Sequence, residues 1–226
     1  MTDEYYVLMN DCQNNFYSGV LDTECAQAQR VEGSSISFPY DVGKIQDNII
    51  YWNFEKVENL SFDYRCEKGH ILSEKMMDIL SGFVFSPHYK KRLSVWMRGA
   101  ETQYSYTYIA FERGVWKTGK QLDPDFIFYD RLQSSYELNK RGGIIPSGEI
   151  KLTENAEKYD VFELLDTTYL GGFLVVNNEV KRKIESEKNN VRGFKVVPLN
   201  DAFNTYCRDY NISVEMLRAK AKRKIP

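Results

Sequence analysis

The pattern of apolar and polar residues predicts short strands along most of this chain, with helices only where the apolar period lengthens. The clearest stretch is residues 171–198. Its apolar run Phe173–Val176 is short and rich in β-branched and aromatic residues, as in a strand. Val180 and Ile184 then recur four residues apart, which is the spacing of one helix face. The pattern therefore predicts a strand followed directly by a helix.

Capping residues mark the ends of this predicted helix. Asn177 or Asn178 can cap its start through a side-chain oxygen, and Gly193 can adopt the left-handed conformation that ends a helix. A second strand then runs to Pro198. The whole unit is predicted as strand, helix, strand.

A shorter version of the unit occurs earlier in the chain. The segments Gly69–Ser73, Glu74–Ser81 and Gly82–Pro87 again predict strand, helix and a Gly-Phe strand, and Met76 and Leu80 take the positions of the two apolar helix residues. Two such units predict two related halves and a weak internal repeat.

The remaining elements are mostly strands. A helix is predicted over Asp201–Tyr206, and another over Ser213–Ala221, capped by Ser213. The turn Arg98–Glu101 predicts an antiparallel hairpin between its flanking strands. The predicted strands are Tyr5–Met9, Val20–Leu21, Ile49–Phe54, Leu93–Met97, Tyr104–Phe111, Phe126–Tyr129, Ile150–Leu152 and Val161–Leu165. The expected fold class is α+β, mainly antiparallel sheet.

One segment has the composition of a boundary between the two halves. Residues 139–148 contain three glycines and a proline, which predicts an exposed loop. We expect an N-terminal half over residues 1–138 and a C-terminal half over 149–226, packed as one compact globule.

Charge and composition indicate where the protein acts and which partners it attracts. No apolar run approaches the roughly 20 residues that cross a bilayer, and no signal segment is present, so we expect a cytoplasmic protein without membrane contact. The net charge is −2, and five positive charges without acids lie in residues 218–224, so the remainder carries −7. Such a body repels nucleic acid and attracts basic partners, although the basic tail can act in the opposite way locally.

A phosphate-binding loop is the first candidate motif. Gly114–Lys120 has the glycine and lysine spacing of such a loop. However, Gln121 follows instead of a hydroxyl residue, Trp116 is bulky, and Pro124 comes too soon for the required helix. A tight hairpin turn is the favoured interpretation, and no nucleotide cofactor is expected.

Metal and nucleophile sites lack the residues they need. His70 and His88 are the only histidines, and Cys66 with His70 would still need a third zinc ligand. We expect both histidines to be structural, with no metal and no catalytic residues. Four scattered cysteines are expected as free thiols: Cys12, Cys25, Cys66 and Cys207.

Acidic and aromatic residues provide the candidate binding surface. Asp123 and Asp125 flank a proline, which favours a turn over a cation site, and Glu163 and Asp166 are expected to be solvated. A strand over 104–108 places three tyrosines on one face, which is either covered by helices, the favoured interpretation, or exposed for recognition. The candidate partner-binding residues are Tyr104, Tyr106, Tyr108, Asp123 and Asp125.

Several of these segments resemble one family of bacterial proteins. Tyr5–Leu8, Ile71–Lys75, Val161–Leu164 and Gly193–Pro198 are similar to strand and helix segments of polymorphic-toxin immunity proteins, specifically immunity family 43 and the related family 11. The similarity spans about residues 5–200. Val176–Asn178 replaces the serine common before the second helix, and the extension after 207 is peculiar to this chain.

The resemblance implies a non-enzymatic cytoplasmic antidote. Such a protein binds a toxin domain delivered by a neighbouring cell, through contact-dependent inhibition or type VI secretion, and blocks its active site. An acidic body would favour a basic toxin. Two alternatives remain open: an adaptor or chaperone for a secreted effector, and a hydrolase that reverses a toxin's modification.

Overall fold

The computed structural model describes ten segments of the chain: residues 5–11, 23–25, 48–53, 60–67, 69–97, 103–112, 124–139, 142–165, 167–187 and 191–221. Four helices are found in them: α1 Glu74–Leu80, α2 Asn178–Ser186, α3 Leu199–Asp209 and α4 Val214–Ala221. The strands are β1 Tyr5–Asn10, β2 Thr23–Cys25, β3 Asn48–Asn53, β4 Tyr64–Cys66, β5 His70–Leu72, β6 His88–Met97, β7 Gln103–Phe111, β8 Tyr136–Leu138, β9 Ile144–Pro146, β10 Val161–Glu163, β11 Leu174–Asn177 and β12 Phe194–Pro198.

These strands form two main sheets and one hairpin. Sheet A has the order β10-β11-β1-β12, and all its pairs are antiparallel. Sheet B has the order β2-β3-β6-β7-β5-β4, in which only the β3–β6 pair is parallel. The strands β8 and β9 pair separately. The predicted α+β class with mainly antiparallel sheet is confirmed.

Strand β1 is central in sheet A because its sequence is apolar on both faces. Val7 and Met9 point to a core shared with α3, whereas Tyr6 and Leu8 point to a second core between the sheets. A continuous apolar run is typical of a strand buried on both sides. This N-terminal strand thus lies between β11 and β12, which come from the other end of the chain.

The helix α2 begins as predicted but ends earlier. The Asn177 side chain accepts a hydrogen bond from the Val180 amide at 3.0 Å, and Val180 and Ile184 are its buried residues. Gly193 has the positive φ of +90°, yet the helix already ends at Ser186. The glycine instead turns the chain into β12, so its predicted role as the helix stop is wrong.

The internal repeat is not confirmed. Helix α1 is capped by Ser73, whose hydroxyl accepts from the Met76 amide at 3.1 Å, and buries Met76, as the pattern indicates. The following Gly-Phe segment, however, forms only one bridge, between Phe85 and Val161. Whereas β11 belongs to sheet A, the matching β5 belongs to sheet B.

Two further predictions on short segments are wrong. The predicted strand at Phe126–Tyr129 is a 3₁₀ turn at Pro124–Phe126 followed by a single bridge from Tyr129 to Leu152. Residues 139–148, predicted as an exposed loop, contain the fully buried strand β9. The division into halves at this point stays a prediction. The predicted strand at Val20–Leu21 lies outside the described residues.

A buried polar network joins the two sheets. His70 of sheet B places Nε2 2.6 Å from Glu163 Oε1 of sheet A, and both side chains are almost completely buried, at 0% and 1% exposure. Tyr64 Oη lies 3.0 Å from His70 Nδ1 and accepts a hydrogen bond from the Leu174 amide at 3.3 Å. Glu163 was expected to be solvated, so that prediction is wrong.

One arrangement of protons satisfies the hydrogen bonds of both the His70 ring and the Tyr64 phenol. Tyr64 donates to His70 Nδ1, and His70 Nε2–H donates to the Glu163 carboxylate. Burial raises the pKa of Tyr64 well above its usual value of 10, and Cys66 and Glu163 add to this rise. The phenol therefore keeps the proton that it donates. We call Tyr64, His70 and Glu163 the inter-sheet network.

Gly69, which immediately precedes His70, packs closely against Tyr108. Its φ is +122°, and a Cβ placed on it would lie 2.1 Å from Tyr108 Oη. Only glycine combines this backbone conformation with so close a side chain.

We predict that Gly69→Ala lowers the free energy of unfolding by about 2 to 4 kcal/mol, since backbone strain and overlap with Tyr108 add together. Gly142→Ala is the matched control, because Gly142 has φ +78° but open space around it. The control should lose only about 1 kcal/mol in urea unfolding. Equal losses for the two variants would contradict the packing role of Gly69.

We also predict that Glu163→Ala lowers the free energy of unfolding by about 2 to 4 kcal/mol, because it leaves buried donors without their acceptor. Glu163→Gln keeps an oxygen acceptor and should lose less. The exposed Glu157 provides the control, and its alanine variant should change stability by no more than about 0.5 kcal/mol. A Glu163→Ala protein as stable as the control would show that the network does not hold the sheets together.

Candidate functional site

The tyrosine stripe lies largely in the core. Tyr106 and Tyr108 are 8% and 0% exposed, and Tyr104 is half-buried beside them. The prediction that the three share one face of β7 is confirmed by the register with β6. The exposed aromatic area that a recognition surface needs is nevertheless absent at Tyr106 and Tyr108.

The described residues that pack over this stripe do not belong to helices, in contrast to the prediction. The Phe62 ring stacks on the Tyr106 ring with centroids 4.7 Å apart, and Tyr51 of β3 meets Tyr108 edge to face at 6.4 Å. The described members of this core come from strands of sheet B and from Leu60 and Phe62. Burial raises the pKa of Tyr106, with the charge of Asp63 adding to the effect.

Only one of the two predicted acidic residues lies within the described part of the chain. Asp125 is exposed in the 3₁₀ turn Pro124–Phe126. Asp123 and the glycine-rich loop Gly114–Lys120 lie outside the described residues. A role in partner binding for these residues stays a prediction.

The inter-sheet network holds the groups best suited to chemistry, but its histidine and carboxylate are enclosed. His70 and Glu163 have side chains exposed by no more than 1%, and the tyrosine between them and the β11 backbone is fully buried. A substrate cannot reach these atoms unless the two sheets separate. Sequence reasoning identified His70 as structural but missed Glu163, whose partner lies 93 residues away in the chain.

Two described cysteines are free thiols, as predicted. Cys66 lies beside His70 in the β4–β5 register, and its Sγ donates to the Gly172 carbonyl 2.7 Å away. Cys207 is buried in the core under α3. Within the ranges that the structure describes, no three His, Cys, Asp or Glu side chains are grouped so that they could hold a metal ion.

A surface groove lies at one end of sheet A. This groove has a volume of about 880 Å³ and runs between the start of β1, the end of β12 and residues 149–153. Lys181 of α2 forms one wall, with Nζ 4.8 Å from the centre of the Tyr6 ring. Glu157 contributes an acid to the lining.

A smaller groove of about 310 Å³ adjoins it. Both are lined by Glu149 and Asn200, and the smaller one continues past Ser147 to Asn204 on α3. Asn200 Oδ1 accepts from the Ile150 amide at 2.7 Å, which fixes α3 against the connecting segment. The linings mix both charges with amides and contain neither histidine nor cysteine, so they suit hydrogen bonding to a partner.

No local sequence pattern predicts these grooves. Their lining residues come from four separate parts of the chain, which meet only because β1 pairs with β11 and β12. In the described part of the chain, no helix has the length and apolar character needed to cross a membrane.

Comparison with known proteins identifies the family. No curated protein matches the chain. The family model described as Immunity protein 43 matches residues 13–214, which is most of the chain and includes both sheets apart from β1. The chain therefore belongs to the immunity protein 43 family.

Proposed function

We propose that this protein binds one cognate antibacterial toxin domain in the cytoplasm and neutralises it by covering the toxin's active site. The observation that carries the proposal is the family match over residues 13–214. An immunity protein implies a toxin as its partner, and direct obstruction is the simplest means of protection for a protein that works by binding.

The buried core supports binding by a preformed surface. The inter-sheet network and three apolar clusters fix both sheets, so the faces and grooves exist before the partner arrives. A preformed surface loses little conformational entropy on association. A stable complex of this kind buries about 1,200 to 2,000 Å² in total.

Surface residues suggest where contacts arise. The joined grooves offer Lys181, Glu157 and Asn200 for hydrogen bonds at a polar rim. Asp125 is exposed, and we retain it, with Asp123 and Tyr104, among the proposed contacts. Tyr106 and Tyr108 act from the core by supporting the strand that carries Tyr104.

Charge supports a fast encounter. The chain outside its basic end carries −7, so a basic toxin domain would be attracted over long distances. The enclosed histidine and carboxylate do not favour an enzymatic function, because a substrate has no path to them.

We predict that co-expression of this chain with its cognate toxin domain restores growth of cells that the toxin alone kills. The purified chain should also form a stable complex with a catalytically inactive form of that toxin. The Glu163→Gln variant should protect as well as the wild type if it folds, because the network acts only in stability.

Other outcomes of these two experiments would favour one of the alternative functions, an enzyme or an adaptor. Rescue without a stable complex would contradict obstruction and favour an enzyme that reverses the modification. A complex that forms without inhibiting the toxin would favour an adaptor. The absence of both rescue and binding would refute the proposed function.

A further inference from the structure

Strand β6 carries a row of basic side chains on one face. His88, Lys90 and Arg92 alternate along the strand, and all three are exposed. Alternate residues point to the same side of a strand and lie about 7 Å apart. The row therefore spans about 13 Å of surface.

Buried residues on the opposite face of β6 determine the side of the sheet to which the row of basic side chains points. Leu93, Val95 and Met97 are buried in the core of the tyrosine stripe, so a shift by one residue would bury the charges and expose these side chains. The register with β7 places Lys90 opposite Ile109 and Arg92 opposite Thr107. The side chains thus leave the sheet at defined positions.

The neighbouring strands bring uncharged groups to this face, among them Ile109 opposite Lys90. Asn48 lies opposite Arg92 in β3, and its Nδ2 donates to Ser94 Oγ at 2.9 Å, which shows that β3 and β6 present these side chains to the same side. On β7 the matching positions are Thr107 and the exposed Ser105. We define the β6 face by His88, Lys90, Arg92, Asn48, Thr107 and Ser105.

Two cations of the β6 face, Lys90 and Arg92, have no side-chain partner among the described residues. Their side chains make no ion pair or hydrogen bond with the part of the chain that the structure describes. The paired residues on β3 and β7 include no acid. His88 differs, since its Nδ1 donates to the Ser86 carbonyl at 2.9 Å and its ring lies 5.1 Å from the Phe85 ring.

We propose that the β6 face docks an acidic surface of the toxin, with Lys90 and Arg92 pairing with its carboxylates. This inference rests on the proposed function. A guanidinium binds a carboxylate through two parallel hydrogen bonds, and the flanking hydroxyls and amide supply further contacts around it. The cations without side-chain partners, and the described paired positions without acids, provide the charge complementarity.

A protein partner fits this face better than a nucleic acid. Outside the basic end the chain carries −7, so a polyanion longer than the 13 Å row would meet repulsion around it. A toxin can be basic overall and still present a local acidic patch. The acidic body would then accelerate the encounter, and the β6 face would fix the orientation of the complex.

The test compares two charge reversals of equal size. Lys90→Glu/Arg92→Glu alters the β6 face, and Arg182→Glu/Lys183→Glu alters two exposed cations on α2. Both lower the net charge by the same amount. Affinity for the inactive toxin domain is measured by calorimetry, and thermal unfolding verifies that each variant is folded.

We expect the β6 variant to bind about 100-fold more weakly and the α2 variant to change by less than about threefold, because like charges that face each other cost several kcal/mol. Equal weakening of the two variants would reduce the effect to long-range steering and overturn the proposal. Unchanged binding by a folded β6 variant would overturn it as well. A wild-type chain that does not bind the toxin would refute the proposed function itself.

A second measurement tests the acidic chemistry directly and does not depend on a variant. A carbodiimide joins an amine to a carboxylate only where the two are in contact. In the wild-type complex, Lys90 should be linked to an aspartate or glutamate of the toxin, as read by mass spectrometry. Linkage elsewhere but not at Lys90, or binding of the β6 face to an oligonucleotide in place of the toxin, would contradict the proposal.

Discussion

The contact between His70 and Glu163 is the constraint on which the arrangement of the two sheets depends. It places a carboxylate from β10 against an imidazole from β5 at 2.6 Å, in a region without solvent. A buried carboxylate is costly unless it is hydrogen-bonded, so this bond favours the packing of the two sheets that keeps it intact. Tyr64 extends the same constraint to β11 through the Leu174 amide.

A body fixed in this way suits a protein that works by binding. Sheet A is covered on both faces, with α3 on one side and the shared core on the other. Sheet B is covered on its tyrosine face, while the basic end of β6 stays exposed on the other. The cations on β6 are held by a strand, and Lys181 and Asn200 at the grooves by helices, which keeps their spacing constant.

The sequence predicted the elements whose signal is local. The apolar run of β1, the Asn177 cap and the α2 face were readable because each depends on residues within one turn or one strand. Alternation in β7 likewise indicated that the three tyrosines share a face. It did not determine whether that face was buried, because the cover includes Phe62, which is distant in sequence.

Features built from distant segments were not predictable. Glu163 reads as an ordinary solvated acid, and only the pairing of β10 with β11 carries it to His70. The grooves depend in the same way on the insertion of β1 beside β12. The short strand β9 was missed because glycine and proline on either side of Ile144 and Ile145 suggested a loop, whereas these two side chains fill the core under α3.

If the protein acts through a preformed surface, its interior stays unchanged when the toxin binds. Hydrogen exchange of the free and the toxin-bound chain, followed by mass spectrometry, tests it most directly. We expect slower exchange in peptides from β6 and β7, and unchanged exchange at Tyr64–Leu72 and Val161–Glu163. Faster exchange in those two interior segments on binding would contradict it, because the sheets would then separate to engage the toxin.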